Sequence, residues 1–188
     1  MEYDKNKVHY IVVTGILVKD GKYLIVKRAN WEKAFPGKWT VPGGKLVLSE
    51  YEHLPKTAPN YPQWYNVVEW VLRKEAQEEV GIIPESVTIL GQLSPLFISP
   101  SQFLVYPVVG YTTTIPAFIP DPIEIREIIP CSLFDFLESD TLTIRDIEVG
   151  GKILPDIPCY QIGERIIWGA TAMIFSELLE IIKTINFK

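Results

Sequence analysis

Nine consecutive residues, Pro36 to Gly44, hold two prolines and three glycines around Trp39-Thr40-Val41. Proline fixes φ near −65° and glycine opens left-handed and close-approach conformations, so a segment this dense in both has its backbone path prescribed almost residue by residue. It reads as a brief strand held between two tight turns. Upstream, His9–Val18 is rich in Ile, Val and Thr, Lys19-Asp20-Gly21-Lys22 supplies turn residues, and Tyr23–Val26 resumes the pattern, which predicts a β-hairpin. Downstream, Lys45 to Pro62 carries three prolines and no sustained period, the mark of a long loop.

Between Gln63 and Val80 there is neither proline nor glycine. Val67 and Val71, with Trp70 and Leu72 beside them, lay an apolar stripe along one helical face, and Gly81 stands where a helix ends. Strands are expected at Val87–Leu90, Phe103–Thr113 and Ile123–Ile129, with weaker ones around Thr141–Val149 and Tyr160–Ile167. A short helix is expected at Leu133–Leu137, begun by Ser132, and a closing amphipathic helix at Thr171–Ile182. Strands interleaved with helices make the class α/β, and 188 residues suit a single domain.

Composition narrows the function. A formal net charge of −5 is opposite in sign to that of a phosphate-backbone binder, which disfavours general nucleic-acid or anionic-membrane binding. Carboxylates in local excess can instead mark a divalent-cation site. Cys131 and Cys159 match neither a redox pair nor a zinc spacing and are expected as reduced core thiols. The opening residues lack a basic and apolar leader, and Ile166 to Phe175 is too short to span a bilayer, so the expectation is a soluble cytoplasmic protein.

The stretch that carries chemistry is Lys74-Glu75-Ala76-Gln77-Glu78-Glu79-Val80-Gly81-Ile82. Helical spacing sets Glu75 one turn from both Glu78 and Glu79, and like charges at that spacing destabilise a helix by a few tenths of a kcal/mol, ~0.2–0.5 per pair. A bound Mg²⁺ or Mn²⁺ reverses that sign and supports attack of water on a phosphoanhydride. A solvated, salt-bridged face beside Arg73 and Lys74 accounts for the same residues without any metal.

Together with Gly44, five residues and then Glu50, this stretch resembles the signature of the Nudix hydrolases, a glycine and glutamate followed by an Arg-Glu-aliphatic-x-Glu-Glu-x-Gly-aliphatic run. The signature arginine is Lys74 here, and an insertion of about residues 51–66 splits the motif into 43–50 and 74–82. The resemblance implies an α-β-α sandwich with a mixed central sheet and hydrolysis of a nucleoside diphosphate linked to another moiety. It implies Mg²⁺ or Mn²⁺ held by Glu75, Glu78, Glu79 and the carbonyl near Gly43, with Glu78 and Glu79 catalytic and Glu124 the first choice for general base, Glu127 the second. Arg28, Gly44, Lys45 and Trp64 would touch substrate. Tyr61, Trp64 and Tyr65 stack on a base or fill the loop's own core. A homodimer is a reasonable expectation from family habit.

Pro107-Val108-Val109-Gly110 and Trp168-Gly169-Ala170-Thr171-Ala172 further resemble the coenzyme A diphosphatase branch, although that branch places Phe before Pro-Gly-Gly where this chain has Val41. Coenzyme A-like substrates are therefore favoured over ADP-ribose or nucleoside triphosphates. The rival from another class is a non-catalytic module of the same fold that binds a nucleotide metabolite.

Overall fold

The computed structural model describes residues 10–32, 35–56, 66–99, 101–112, 118–137 and 140–185. The opening hairpin pairs β1 (Tyr10–Lys19) with β2 (Lys22–Arg28). Its two-residue turn, Asp20 and Gly21, has φ of 49° and 71°, the paired positive values of a turn whose twist matches the strands. Beyond the turn the two strands separate. β3 (Trp39–Thr40) pairs with β2 and β4 (Gly43–Lys45) pairs with β1, so the punctuated segment forms a wedge in the gap.

The loop predicted after Lys45 contains one helical turn, α1 (Leu48–Tyr51), and leads to α2 (Val67–Val80). There follow β5 (Val87–Gln92), β6 (Leu96–Ile98), β7 (Phe103–Thr112) and β8 (Ile125–Ser132). β7 runs parallel to β1 from Tyr10–Phe103 to Val18–Tyr111, whereas the other pairings of this sheet are antiparallel, so the sheet is mixed as expected. Among the described residues it has eight strands.

Period-two alternation along β1 sorts side chains to two cores. Val13 and Leu17 join Val71, Leu72, Ala76 and Val80 of α2 on one face. Ile16 joins Tyr23, Phe136 and the closing helix α3 (Gly169–Thr184) on the other. There Tyr23, Phe136 and Phe175 form an aromatic trio with ring centroids 4.4 to 5.4 Å apart. Cys131 and Cys159 are buried free thiols, as their spacing foretold.

The second half departs from the sequence reading. The strand expected around Thr141–Val149 is β9 (Leu142–Val149), but in place of one strand over Tyr160–Ile167 there are two, β10 (Lys152–Ile162) and β11 (Arg165–Trp168), and the three form a second sheet. Pro155 and Pro158 disguise the first part of β10. The strand absorbs Pro155 where the register slips between Leu154 and Ile157, and Gly163 at φ 59° turns it into β11. The short β6 also escapes a reading by pattern. Among the described residues no helix is long and apolar enough to cross a membrane.

Phe175 is fully buried and central to the aromatic trio. Replacing it by alanine should cost about 3–5 kcal/mol, a large share of the ~5–15 kcal/mol typical of a domain, and urea denaturation measures it. Ile153→Ala, at a mostly exposed position, should change stability by less than about 0.5 kcal/mol.

Candidate active site

The acidic turn occupies the last two turns of α2. Gly81 stops the helix in the left-handed region at φ 76°, and its N–H bonds back to the Gln77 carbonyl at 3.0 Å. The next free carbonyls are taken by the segment before β8: Ile119 N–H donates to Val80 O at 3.2 Å and Asp121 N–H to Glu79 O at 3.0 Å. The same segment turns through Asp121, whose side chain accepts from Ile123 N–H at 2.6 Å, and Ala29 N–H then donates to the Glu124 carbonyl at 2.8 Å. Glu124 is thereby delivered to the end of α2 and the end of β2, where Arg28 lies.

The three helical glutamates differ in environment. Glu79 is 3% exposed and Glu75 8%, while the Glu78 side chain is 56% exposed. Gly43 N–H donates to Glu79 Oε2 at 3.3 Å. Gly44 lies so close to Glu75 that a Cβ there would fall 2.1 Å from Oε1, and a Cβ on Gly43 would fall 2.3 Å from the Val13 carbonyl oxygen. The paired glycines thus permit the wedge to lie between β1 and the buried carboxylates.

Burial pushes the Glu79 carboxyl up to about 8, with the charges of Glu75 and Glu124 adding to it and the Gly43 N–H and Arg28 opposing. Glu75 is raised by burial too, against the counter-pull of Lys74, and Glu78 and Glu124 push it further. Glu124, predicted from sequence alone as the loop acid, is therefore electrostatically part of the cluster. Glu127 instead sits two strand positions beyond Ile125, opposite Lys27.

Lys74 is the local cation. Its Nζ lies 2.9 Å from Glu78 Oε2 and 3.3 Å from both Glu75 Oε1 and Glu50 Oε2. Burial pulls its pKa down, but the hydrogen bond to Glu78 and the three carboxylate charges outweigh it and hold the ammonium above the ordinary lysine range. The contact with Glu50 rejoins the two halves of the split motif across the insertion. A second contact, the edge-on packing of His53 against Trp70 at 5.5 Å, ties the same loop to α2. In the sequence Glu50 stands only as a motif marker, and its partnership with Lys74 emerges from the fold.

The other expected contacts scatter. Arg28 pairs with Glu32 at 2.8 Å while still acting on Glu79. Lys45 stands apart from the cluster, its ammonium over the rings of Tyr10 and Phe103 at 4.7 and 5.3 Å. Trp64, with Tyr61 and Tyr65, lies outside the described residues.

Hard oxygen donors on adjacent turns of one helix, two of them buried with raised proton affinity, fit a dication in chemical type. Among the described residues no three acidic, histidine or cysteine groups converge as a preformed cage. Lys74, bonded to two of the three helical glutamates, is what holds them in its place.

No family model matches the chain. A protein of Yersinia enterocolitica named an uncharacterized Nudix hydrolase NudL is 28% identical over 179 residues, 95% of this chain and 83% of its own. Its namesake in Photorhabdus laumondii is 27% identical over 93% of this chain and 85% of its own length. Among solved structures, the MutT protein of Methanosarcina mazei superposes with a TM-score of 0.54 at 19% identity, spanning 98% of this chain and all of that one.

The buried carboxylates make stability depend on pH. Glu79 binds its proton at about 8 in the folded chain against 4.5 ordinarily, so between those values the folded state holds more protons than the unfolded one. Without added metal, stability should be greatest below about pH 4.5 as far as this group is concerned, and should fall as pH rises through 8. Chemical denaturation of wild type and Glu79→Gln across that window checks it: the difference between the two should shrink as pH falls. Likeness over nearly the whole chain to proteins named Nudix hydrolases, with a sheet-and-helix arrangement shared with solved structures, gives this protein a Nudix-type α/β fold and is consistent with a hydrolase acting on acid anhydrides.

Proposed function

We propose that the chain is a Mg²⁺- or Mn²⁺-dependent pyrophosphohydrolase that cleaves the phosphoanhydride of a nucleoside diphosphate linked to another moiety, with coenzyme A-like compounds as the favoured class. The observation that carries it is the pair of buried carboxylates, Glu75 and Glu79, pressed against Gly43 and Gly44 and facing Glu124. Burying two like charges on successive turns is unfavourable for a fold with no use for them.

Glu75, Glu78, Glu79 and the Gly43 carbonyl would hold the cation. When bound it neutralises phosphate oxygens and lowers the pKa of water. The chain's own residues supply the rest. Arg28, at the end of β2, holds a phosphate oxygen beside the cluster. Glu124 accepts the proton of the water that attacks phosphorus, while the P–O bond of the anhydride breaks and its electrons leave with the departing phosphate. Lys74 keeps Glu75 and Glu78 ionised and ready to act as ligands.

The preference for coenzyme A-like substrates is supported by the Pro107–Gly110 and Trp168–Ala172 runs. Within the fold they serve packing. A Cβ on Gly110 would lie 3.0 Å from Val87 and 3.1 Å from Leu17, and Thr171 meets Thr40 at 3.3 Å between α3 and β3. They speak for shared ancestry with that branch rather than for direct contact.

The test is product analysis by mass spectrometry after incubation with Mg²⁺ and coenzyme A, ADP-ribose or a nucleoside triphosphate in turn. Release of 4′-phosphopantetheine and 3′,5′-ADP is expected from coenzyme A, and turnover of another compound alone would move the substrate class. Glu79→Gln should reduce turnover to background, and Glu124→Gln should lower kcat by about 10²–10⁴-fold while leaving Mn²⁺ affinity nearly intact. Full turnover by Glu124→Gln would remove it as the base.

A further inference from the structure

The chain leaves β2 through a tight turn, Ala29 to Glu32, closed by the Glu32 N–H donating to the Ala29 carbonyl at 3.2 Å. Such turns favour Gly, Asn, Asp and Ser at their centre, and Asn30 conforms. Trp31 does not. Its ring is 69% exposed, so burial gives the fold little reason to keep an indole there. What an indole adds is a rigid arm that ends in a single N–H donor. That donor is used: Trp31 Nε1–H reaches the Ile123 carbonyl oxygen at 2.7 Å.

Ile123 immediately precedes Glu124, the acid that meets the cluster from outside α2. Peptide units are planar, so the direction in which a side chain leaves its Cα is settled once the planes on either side are settled. The plane after Glu124 is held twice. Its carbonyl accepts from the Ala29 N–H at 2.8 Å, and the Ile125 N–H donates to the Asp121 carbonyl at 2.8 Å. The plane before Glu124 contains the Ile123 carbonyl, and Trp31 holds it. The same turn carries Glu32, whose carboxylate pairs with Arg28 at 2.8 Å. One turn at the end of β2 therefore steadies both groups that act on Glu79 from outside the helix, the Glu124 carboxylate and the Arg28 guanidinium.

We infer that Trp31 is a positioning residue, whose indole N–H fixes the peptide unit ahead of Glu124 and so aims that carboxylate at the water that attacks phosphorus. The inference rests on the proposed reading of Glu124 as the base and deepens it. A base works only within hydrogen-bond reach of the proton it takes, ~2.6–3.2 Å. Displacing a reacting group by about 1 Å can cost about 10²-fold in rate. With the indole N–H removed, the plane after Glu124 stays held while the plane before it is released, and the side chain swings about φ. The loop keeps its bonds to the end of α2, from Ile119 N–H to the Val80 carbonyl and from Asp121 N–H to the Glu79 carbonyl. Aim is lost and the fold is kept, which separates this role from a structural one.

A double-mutant cycle of Trp31→Phe and Glu124→Gln tests it, by steady-state kinetics of the whole chain with Mg²⁺ on whichever of coenzyme A, ADP-ribose and a nucleoside triphosphate the wild type turns over. Phenylalanine keeps an aromatic ring and removes the N–H. Trp31→Phe, its folding checked by circular dichroism, is expected to lower kcat about ten- to a hundredfold with KM within about twofold. In the Glu124→Gln background it should cause no further loss. Hydrogen exchange read by mass spectrometry should quicken over residues 118–125 in Trp31→Phe and stay unchanged over α2. Full kcat in Trp31→Phe, a loss that multiplies with that of Glu124→Gln, or unchanged exchange over 118–125 would each overturn the positioning role and leave the hydrolase standing. No wild-type turnover of any of the three compounds would instead remove the hydrolase reading, and full turnover by Glu124→Gln would remove the base, each taking this inference with it.

Discussion

The close approach of Gly43 and Gly44 to β1 on one side and to Glu75 and Glu79 on the other is the contact on which the site depends. A side chain at either glycine would collide with backbone or carboxylate, so the wedge would have to leave the gap between β1 and β2. With it would go the Gly43 N–H that steadies Glu79. The gap itself exists because the hairpin pairs tightly only near its turn, where Val18 meets Tyr23 and Lys19 meets Lys22. Sheet geometry, glycine chemistry and the electrostatics of two buried acids are therefore one structural fact seen at three scales.

The electrostatic balance has a second participant in Lys74. A lone lysine facing three carboxylates keeps the cluster tolerable, and its point-like ammonium reaches all three where a planar guanidinium would favour one in a forked pair. The departure from the motif's arginine thus has a physical reading. The segment that closes the helix end adds a further acid, Glu124, so the carboxylate count at the site is set by a capping interaction as much as by the helix itself.

Much of this was legible in the residues. The opening hairpin and the acidic helix with its stop at Gly81 follow from turn chemistry and helical period, while Glu124, whose charge acts on Glu79, was pointed to by the family resemblance alone. The rest was hidden for definable reasons. β10 carries two prolines that a pattern reading takes as loop, and its bulge is fixed only by pairing with β9. Lys45 appears next to the glycine turn in sequence, yet strand alternation turns it to the opposite face from Gly44, toward Tyr10 and Phe103. The reach of the Trp31 indole to the Ile123 carbonyl joins residues 92 positions apart, which no local pattern announces.

The Glu50–Lys74 and His53–Trp70 contacts close the segment between the two halves of the motif at its base. Once the ends of a loop are pinned, lengthening it is entropically cheap, about 0.6 kcal/mol for each doubling. The chain thereby separates what must stay fixed from what is free to change. Between His53 and the start of α2 the chain can change in length over evolutionary time while the helix and the wedge keep their register.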